Sequence, residues 1–501
     1  MSGLALGDRH SRPLDGLGDV ASPKTILIRA GDVSGAVNRQ HLLVCLVNLL
    51  ARLHGLVGSI RVAVKGEMTV VTPNGAGPAN AFQAVENLAS WANGGRIPVL
   101  PPDGVEDLTI DMTGQMRGGA SIYVWGEGWK AWIGSAPRAF GGSFGRRDCL
   151  GPYLAAALAA GEVFKHAKGL KKGRFARDDA YSLWSGESGR WEVLEDGPAV
   201  SDTRLPPLYV VGAGAVGQGI IQVLGASELA SSFLVTIDHD RHDLEGTNLN
   251  RCFLAGLDDL DRPKVEAVER YRTFSGLGGL EHSGTLRDYI LSSRSGLHPK
   301  LDLAEARDSY ELVVSAVDIN TSRQDIQGLC PRVVVGGSTD GLRAQAVIYG
   351  LVEQAECLGC WNVPDDGRAK AAAAREAALR AMSPEERRKE LAGQVENLDA
   401  ALSYLASAEP RCGQLGESDV KSFVDRMPPE FSASFVSMAA ATMAAASLFR
   451  VTSGLSSDVN LQPKTILQFK NLSMAKTVTA RRSGCAHCCV VREAGSPAKL
   501  G

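Results

Sequence analysis

The residues that could do chemistry together begin in LYVVGAGAVGQGII, Leu208 to Ile221. A short apolar run feeds a turn carrying Gly212, Gly214 and Gly217, and an apolar helix follows. A second apolar run, Phe233 to Ile237, then ends on Asp238. Strand, glycine turn, helix, strand and acid make a nucleotide-binding fingerprint. The glycines let backbone approach phosphate at a helix N-terminus, and the acid reaches a ribose hydroxyl. Taken alone, such a pattern belongs most often to an NAD-binding protein.

The residues downstream change that reading. Asp240, Asn248, Arg251 and Lys264 come next, followed by VVSAVDIN with Asp318 and Asn320. A dehydrogenase has little use for an arginine and a lysine packed against this loop. ATP does: a triphosphate attacked at its α-phosphorus needs cations around the developing charge and a carboxylate to hold Mg²⁺.

Two CxxC pairs stand far apart, CLGC with Cys357 and Cys360, and CAHC with Cys485 and Cys488. Four thiolates from two knuckles make a closed structural Zn²⁺ site. A redox role is the alternative for either pair alone, but two copies flanking one domain favour zinc. His487 and Cys489 are then spectators, and Cys45, Cys149, Cys252 and Cys330 fall in apolar contexts that read as core.

GAGAVG, Asp238-x-Asp240, NLNR, the RPK lysine and VDIN together resemble the ThiF/MoeB and ubiquitin-activating (E1-like) superfamily. The resemblance implies ATP-dependent adenylation of the C-terminal carboxylate of a ubiquitin-like protein. It implies that Asp238 holds the ribose, that Asn248, Arg251 and Lys264 hold the phosphates, and that Asp318 holds Mg²⁺, with Asp240 and Asn320 at the same site. The segment from Asp238 to Asn248, where Asp240 falls, is slightly longer than the family pattern. Members that form a thioester carry their cysteine in a crossover loop, which implies Cys412 as nucleophile. Arg411 beside it favours the thiolate, against the plain reading of an incidental loop cysteine. NRQ at Asn38 to Gln40 resembles an arginine-bearing helix lent to a partner's ATP site, against the plain reading that Arg39 only solvates its helix. The two-half form is similar to the activating enzymes of bacterial ubiquitin-like conjugation systems, which implies a conjugating-enzyme-like acceptor and a role in antiphage defence. The rivals are a sulfur-carrier-protein adenylyltransferase of thiamine or molybdopterin type, a peptide-adenylating member, and a non-catalytic Rossmann NAD-binding protein.

These groups need a scaffold. The alternation of strands and helices predicts an α/β chain, and the resemblance implies a Rossmann-like adenylation domain with a mixed, mostly parallel sheet, preceded by a degenerate adenylation-like half, with a zinc clip. The expected layout is a tail over 1–22, an inactive half over 23–170, a linker with a short hairpin over 171–205, and an active domain over 206–501. The last contains a crossover segment at about 368–430, with a helix start at Ser383 to Glu386. In the first half KTILIRA, SIRVAV, MTVV, RIPVL, DLTIDM and ASIYVW read as strands and Val37–Leu53 and Asn80–Trp91 as helices. The Ala-rich helices Cys149–Lys165 and Ser432–Arg450 read as counterparts, so the chain is expected to be a pseudo-dimer, with higher oligomers left open.

The 501 residues are 44% hydrophobic and 22% charged, with net charge −3. That balance excludes an electrostatic case for nucleic acid or a membrane surface. No apolar stretch reads as a membrane span and the N-terminus lacks a signal-peptide core, so the expectation is a cytoplasmic protein. Its ten cysteines are then thiols rather than disulfides.

Overall fold

A computed structural model describes residues 22–75, 77–140, 146–170, 178–201, 203–229, 232–242, 246–294, 312–351, 355–363, 375–392, 395, 397–407, 432–453, 463–485 and 487–488. Short runs of apolar and β-branched residues form two large sheets. The first contains β1 (Lys24–Asp32), β2 (Val57–Lys65), β3 (Val99–Leu100), β4 (Leu108–Asp111), β5 (Ile122–Glu127), β6 (Lys130–Gly134), β7 (Asp179–Ser182) and β8 (Glu187–Gly189). The second contains β9 (Leu208–Val211), β10 (Phe233–Asp238), β11 (Gly278–Ser283), β12 (Leu312–Ser315), β13 (Val333–Asp340), β14 (Arg343–Tyr349), β15 (Lys464–Gln468) and β16 (Ser473–Thr477).

The spatial orders are β8-β7-β6-β5-β4-β1-β2-β3 and β16-β15-β14-β13-β12-β9-β10-β11. Each strand of the first sheet therefore has a counterpart in the same place in the second. Strand directions agree as well: five parallel strands on one side, then three antiparallel steps. Helices fall at matching points. Helix α1 (Val37–Leu50) follows β1, as α4 (Ala215–Ala226) follows β9. Helix α2 (Ala81–Asn93) precedes β3, as α5 (Lys264–Ser275) precedes β11. Helix α3 (Leu150–Ala167) follows β6, as α10 (Ser434–Thr452) follows β14. Four further helices, α6 (Leu286–Arg294), α7 (Asn320–Gly328), α8 (Pro384–Leu391) and α9 (Leu398–Ala406), have no counterpart among the described residues of the first half. The chain is two Rossmann-like halves of one topology.

Small residues let the halves meet closely. A Cβ at Gly161 of α3 would lie 2.6 Å from Phe469 of the second half, and within that half one at Gly219 of α4 would lie 2.6 Å from Ala441 of α10. Phe164 packs on Phe435 with centroids 5.2 Å apart. One apolar cluster runs without a break through α1, α3, α4 and α10. Polar ties flank it: Lys165 Nζ donates to Phe469 O at 2.8 Å, Tyr181 Oη to Leu472 O at 2.6 Å and Ser434 Oγ to Leu49 O at 3.2 Å. Helix α10 is long and apolar enough to cross a membrane, against the sequence expectation, but its apolar window is 94% buried between the sheets.

Several sequence expectations shift. The hairpin expected in the 171–205 linker is β7 and β8, and it extends the first sheet because β7 pairs with β6. RIPVL shrinks to the two residues of β3, and MTVV keeps strand pairing only at Met68, which pairs with Ala79. The helical part of the crossover segment, 375–381 with α8 and α9, has its own small core of Leu379, Leu391, Ala401, Tyr404 and Leu405. Ser383 and Glu386 cap α8 reciprocally, as the sequence suggests.

Candidate functional site

In the second sheet β10 and β11 lie on one side of β9, and β12 on the other. The chain reverses its winding between β9 and β12, and ligands of open α/β sheets bind outside the carboxyl ends of the strands at such a point. The glycine turn sits there. Gly212 has φ of +101° and its N–H donates to Ile237 O at 2.8 Å. A Cβ on Gly212 would come within 2.5 Å of Ala316 O, and one on Gly217 would collide with the Gly212 carbonyl. These two glycines are needed for protein packing. Gly214 is different: nothing lies within 4 Å of its would-be Cβ. It caps α4 with no side-chain partner and no acid in the first turn, leaving an open helix N-terminus facing that space.

Asp238, at the end of β10, orders this turn. Its Oδ2 accepts from the Ala213 N–H at 2.5 Å and its Oδ1 from the Asp240 N–H at 2.7 Å. Burial pushes its carboxyl above the ordinary value, against the pull of Lys264. The matching strand of the first half, β2, ends on Lys65, so no acid stands where a ribose would need one.

Lys264 opens α5 and is 8% exposed. Its Nζ donates to Asp240 Oδ2 at 2.6 Å. Burial alone pulls the ammonium down, but Asp240 and then Asp238 outweigh it and hold the pKa above the ordinary value. Burial raises Asp240, and Lys264, His239 and Arg251 outweigh it, so that carboxyl is held low. Asn248 and Arg251 face each other in a run of turns, with Arg251 Nη2 donating to Asn248 Oδ1 at 3.2 Å. The two acids, the lysine and the arginine thus share one electrostatic neighbourhood.

Asp318 is exposed three residues beyond β12, in the loop whose Ala316 and Val317 back Gly212. Asn320, expected beside it as a ligand, is committed elsewhere: its Nδ2 donates to Val363 O at 3.1 Å and its Oδ1 accepts from Arg323 at 2.9 Å. Arg323 also donates to Val317 O at 3.1 Å and Asn362 Oδ1 at 2.9 Å. Gln324 Nε2 donates to Gly359 O and Asn362 O, and Gln327 Oε1 accepts from the Leu358 N–H. The polar face of α7 therefore ties the Asp318 loop to the first cysteine knuckle.

Cys357, Cys360, Cys485 and Cys488 form one cluster with all sulfurs within 4.8 Å. Cys357 Sγ lies 3.6 Å from Cys360 Sγ and 3.7 Å from Cys485 Sγ, and Cys360 Sγ lies 3.3 Å from Cys488 Sγ. Tetrahedral zinc with bonds of about 2.3 Å places sulfurs about 3.8 Å apart, so the set fits Zn²⁺. His487 packs against Gly359, and Cys489 lies outside the described residues. Cys45, Cys149 and Cys252 are buried as expected, whereas Cys330 is exposed at φ of +52° in the turn after α7. Cys412 lies outside the described residues.

Arg39 lies on α1 of the first half. Its Nη1 donates to Ala30 O at 3.3 Å at the carboxyl edge of the first sheet. Farther along, Asn48 and Arg52 reach the Leu249–Ala255 backbone. Sequence reasoning missed them. The available signal was an asparagine and, four residues on, an arginine interrupting the apolar run Leu42–Leu53.

Comparison with known proteins gives the following. The ThiF family model matches residues 207–489, and the model of the BilD N-terminal domain matches residues 26–183. The bacterial E1-like protein BilD of Collimonas sp. (strain OK412) is 31% identical over 148 residues, 28% of this chain. The match spans only 31% of that relative's length. Among solved structures, E. coli MccB with MccA-N7isoASN aligns at TM-score 0.35 and 17% identity, covering 58% of this chain and 68% of that one. MccB with AMPCPP and selenomethionine MccA aligns at 0.34 and 15%, with the same coverage.

Proposed function

The chain belongs to the ThiF family, and from that premise we propose that it is an ATP-dependent, E1-like adenylyltransferase acting on the C-terminal glycine of a ubiquitin-like protein. The observation that carries this reading is the charge set around the open glycine turn. Gly214 faces free space, Lys264 stands by Asp240 and Asp238, and Arg251, bonded to Asn248, is close enough to Asp240 to act on its charge. A nicotinamide cofactor has no use for that density of cations; a triphosphate does.

In the proposed reaction the phosphates lie over the N-terminus of α4, the ribose at Asp238, and Lys264 exchanges its Asp240 partner for phosphate oxygen. Asp318 would hold Mg²⁺, which supplies charge neutralisation at the phosphates. A carboxylate oxygen of the partner attacks the α-phosphorus in line, the bond to the β-phosphate bridging oxygen breaks, and pyrophosphate leaves. Arg251 and Lys264 bear the charge that develops. The Cys412 thiolate then attacks the acyl carbon, giving a thioester and AMP, and a conjugating-enzyme-like acceptor takes the acyl group. A role in antiphage defence is part of the proposal and rests on the resemblance to bacterial conjugation systems.

Thermal unfolding with ATP·Mg²⁺ or NAD as additive tests the nucleotide class. A ligand at 100 times its Kd stabilises by about 2.7 kcal/mol, so ATP should raise the Tm by several degrees and NAD should not. Stabilisation by NAD alone would overturn the reading. Cys412→Ala should keep ATP–pyrophosphate exchange with a ubiquitin-like partner and lose the thiol-sensitive adduct. Adenylate without any adduct in the wild type would leave an enzyme that only adenylates.

A further inference from the structure

Arg52 belongs to the first half, on the residue run just after α1, and is 0% exposed. Its Nε donates to Asn48 Oδ1 at 2.9 Å. Its Nη1 donates to Leu249 O, and its Nη2 to Phe253 O at 3.2 Å and Ala255 O at 3.0 Å. Asn48 Nδ2 adds a bond to Phe253 O at 3.2 Å. Trp91 flanks the guanidinium at 5.7 Å from its ring centroid, and Arg270, which bonds Leu254 O and Asp259, lies over the same ring. Burial lowers the Arg52 pKa to about 10, so it remains a cation at neutral pH.

The carbonyls that Arg52 holds lie on both sides of Arg251. From Asn248 to Ala255 the chain is a series of turns, held internally by bonds such as Cys252 N–H to Asn248 O at 2.8 Å. No strand ladder or long helix fixes it. Buried carbonyls need donors, and here a side chain from the other half supplies them. A fork with five donors can fix several carbonyls at once, where a point charge cannot.

We propose that Arg52 is a positioning residue through which the first half sets the geometry of the Asn248–Arg251 segment, so that a half without a nucleotide loop is required for nucleotide binding by the other. The proposal rests on the reading that Asn248 and Arg251 contact ATP phosphates. Its consequence is that loss of Arg52 weakens ATP binding by displacing Arg251, with no contact to ATP of its own.

The test is calorimetric titration of the full chain with ATP·Mg²⁺, well below the Tm of every variant. Arg52→Met should raise the Kd about tenfold, since misplacement of a positioned group by about 1 Å costs rate or binding on that scale or more. Arg52→Lys, the fallback if the methionine variant does not fold, should give a smaller rise. Tyr181→Phe removes another buried tie between the halves, so it should lower the Tm and leave the Kd unchanged. A Kd unchanged in a folded Arg52 variant, or raised equally by Tyr181→Phe, overturns the proposal. No ATP binding in the wild type, or wild-type affinity in Arg251→Ala, overturns the reading of the site and the proposal with it.

Discussion

Breaking the four-cysteine clip should loosen the Asp318 loop before it unfolds the chain. The perturbation is Cys485→Ser, which breaks the four-sulfur set. Closing a long loop would be worth several kcal/mol, but here the sheet already closes it. Strands β14, β15 and β16 pair in sequence, and Glu356 N–H donates to Thr479 O at 2.8 Å just short of the knuckles. An ion held by the four sulfurs would therefore close only a few residues on each side, and its local effect would outweigh its global one. Five hydrogen bonds join α7 to residues 358–363. At about 1 kcal/mol net each, about 5 kcal/mol of contact depends on the knuckle keeping its shape. Helix α7 begins two residues after Asp318, so that loop loosens with it. Hydrogen exchange should show faster amides over 320–328 and 358–363 with the β9–β12 core still protected. If Asp318 holds Mg²⁺, the Mg²⁺ concentration for half-maximal ATP binding should rise about tenfold or more, the scale of outer-sphere effects at metal sites. Unchanged exchange and Mg²⁺ dependence in zinc-free protein would refute the relay through α7. Loss of both sheets in one step would refute the claim that the clip acts locally.

Two further outcomes follow from single residues. Gly214→Ala meets no protein atom, so it should keep the wild-type Tm while weakening ATP, whereas Gly217→Ala collides with the Gly212 carbonyl and should cost about 1–3 kcal/mol of stability by denaturant unfolding. His242 is buried with neither ring nitrogen partnered, and burial lowers its pKa from 6.5 to about 3. Below pH 6.5 the unfolded chain takes up a proton that the folded chain refuses, so stability is full above that value and falls as pH drops toward 3. His242→Gln should flatten the fall in Tm between pH 7 and 5, and an equal slope in both proteins would show that other groups set it.

What was legible in the sequence was local. The glycine turn, Asp238, Lys264 and the helix boundaries follow from periodicity and short spacing, and both CxxC pairs follow from ligand chemistry. The repeated topology was partly legible in the two Ala-rich helices, because close packing between halves demands small residues there. The β7–β8 hairpin was legible in its turn-forming residues, but its place in the first sheet was hidden because its pairing with β6 is non-local. Arg52 was hidden because its partners are backbone carbonyls about two hundred positions away, which leave no motif. Asn320 read as a ligand by its neighbours in VDIN, but its amide serves Val363 and Arg323. Cys330 read as core, but the turn after α7 turns it outward.

ATP–pyrophosphate exchange in the presence of a ubiquitin-like protein ending in glycine tests the central claim most directly. The expected result is exchange that needs both ATP and the partner's free C-terminal carboxylate, and that is lost in Asp318→Ala although this variant keeps the wild-type Tm. Exchange at wild-type rate in Asp318→Ala, or no exchange by the wild type with any such partner while NAD binds tightly, would contradict the account.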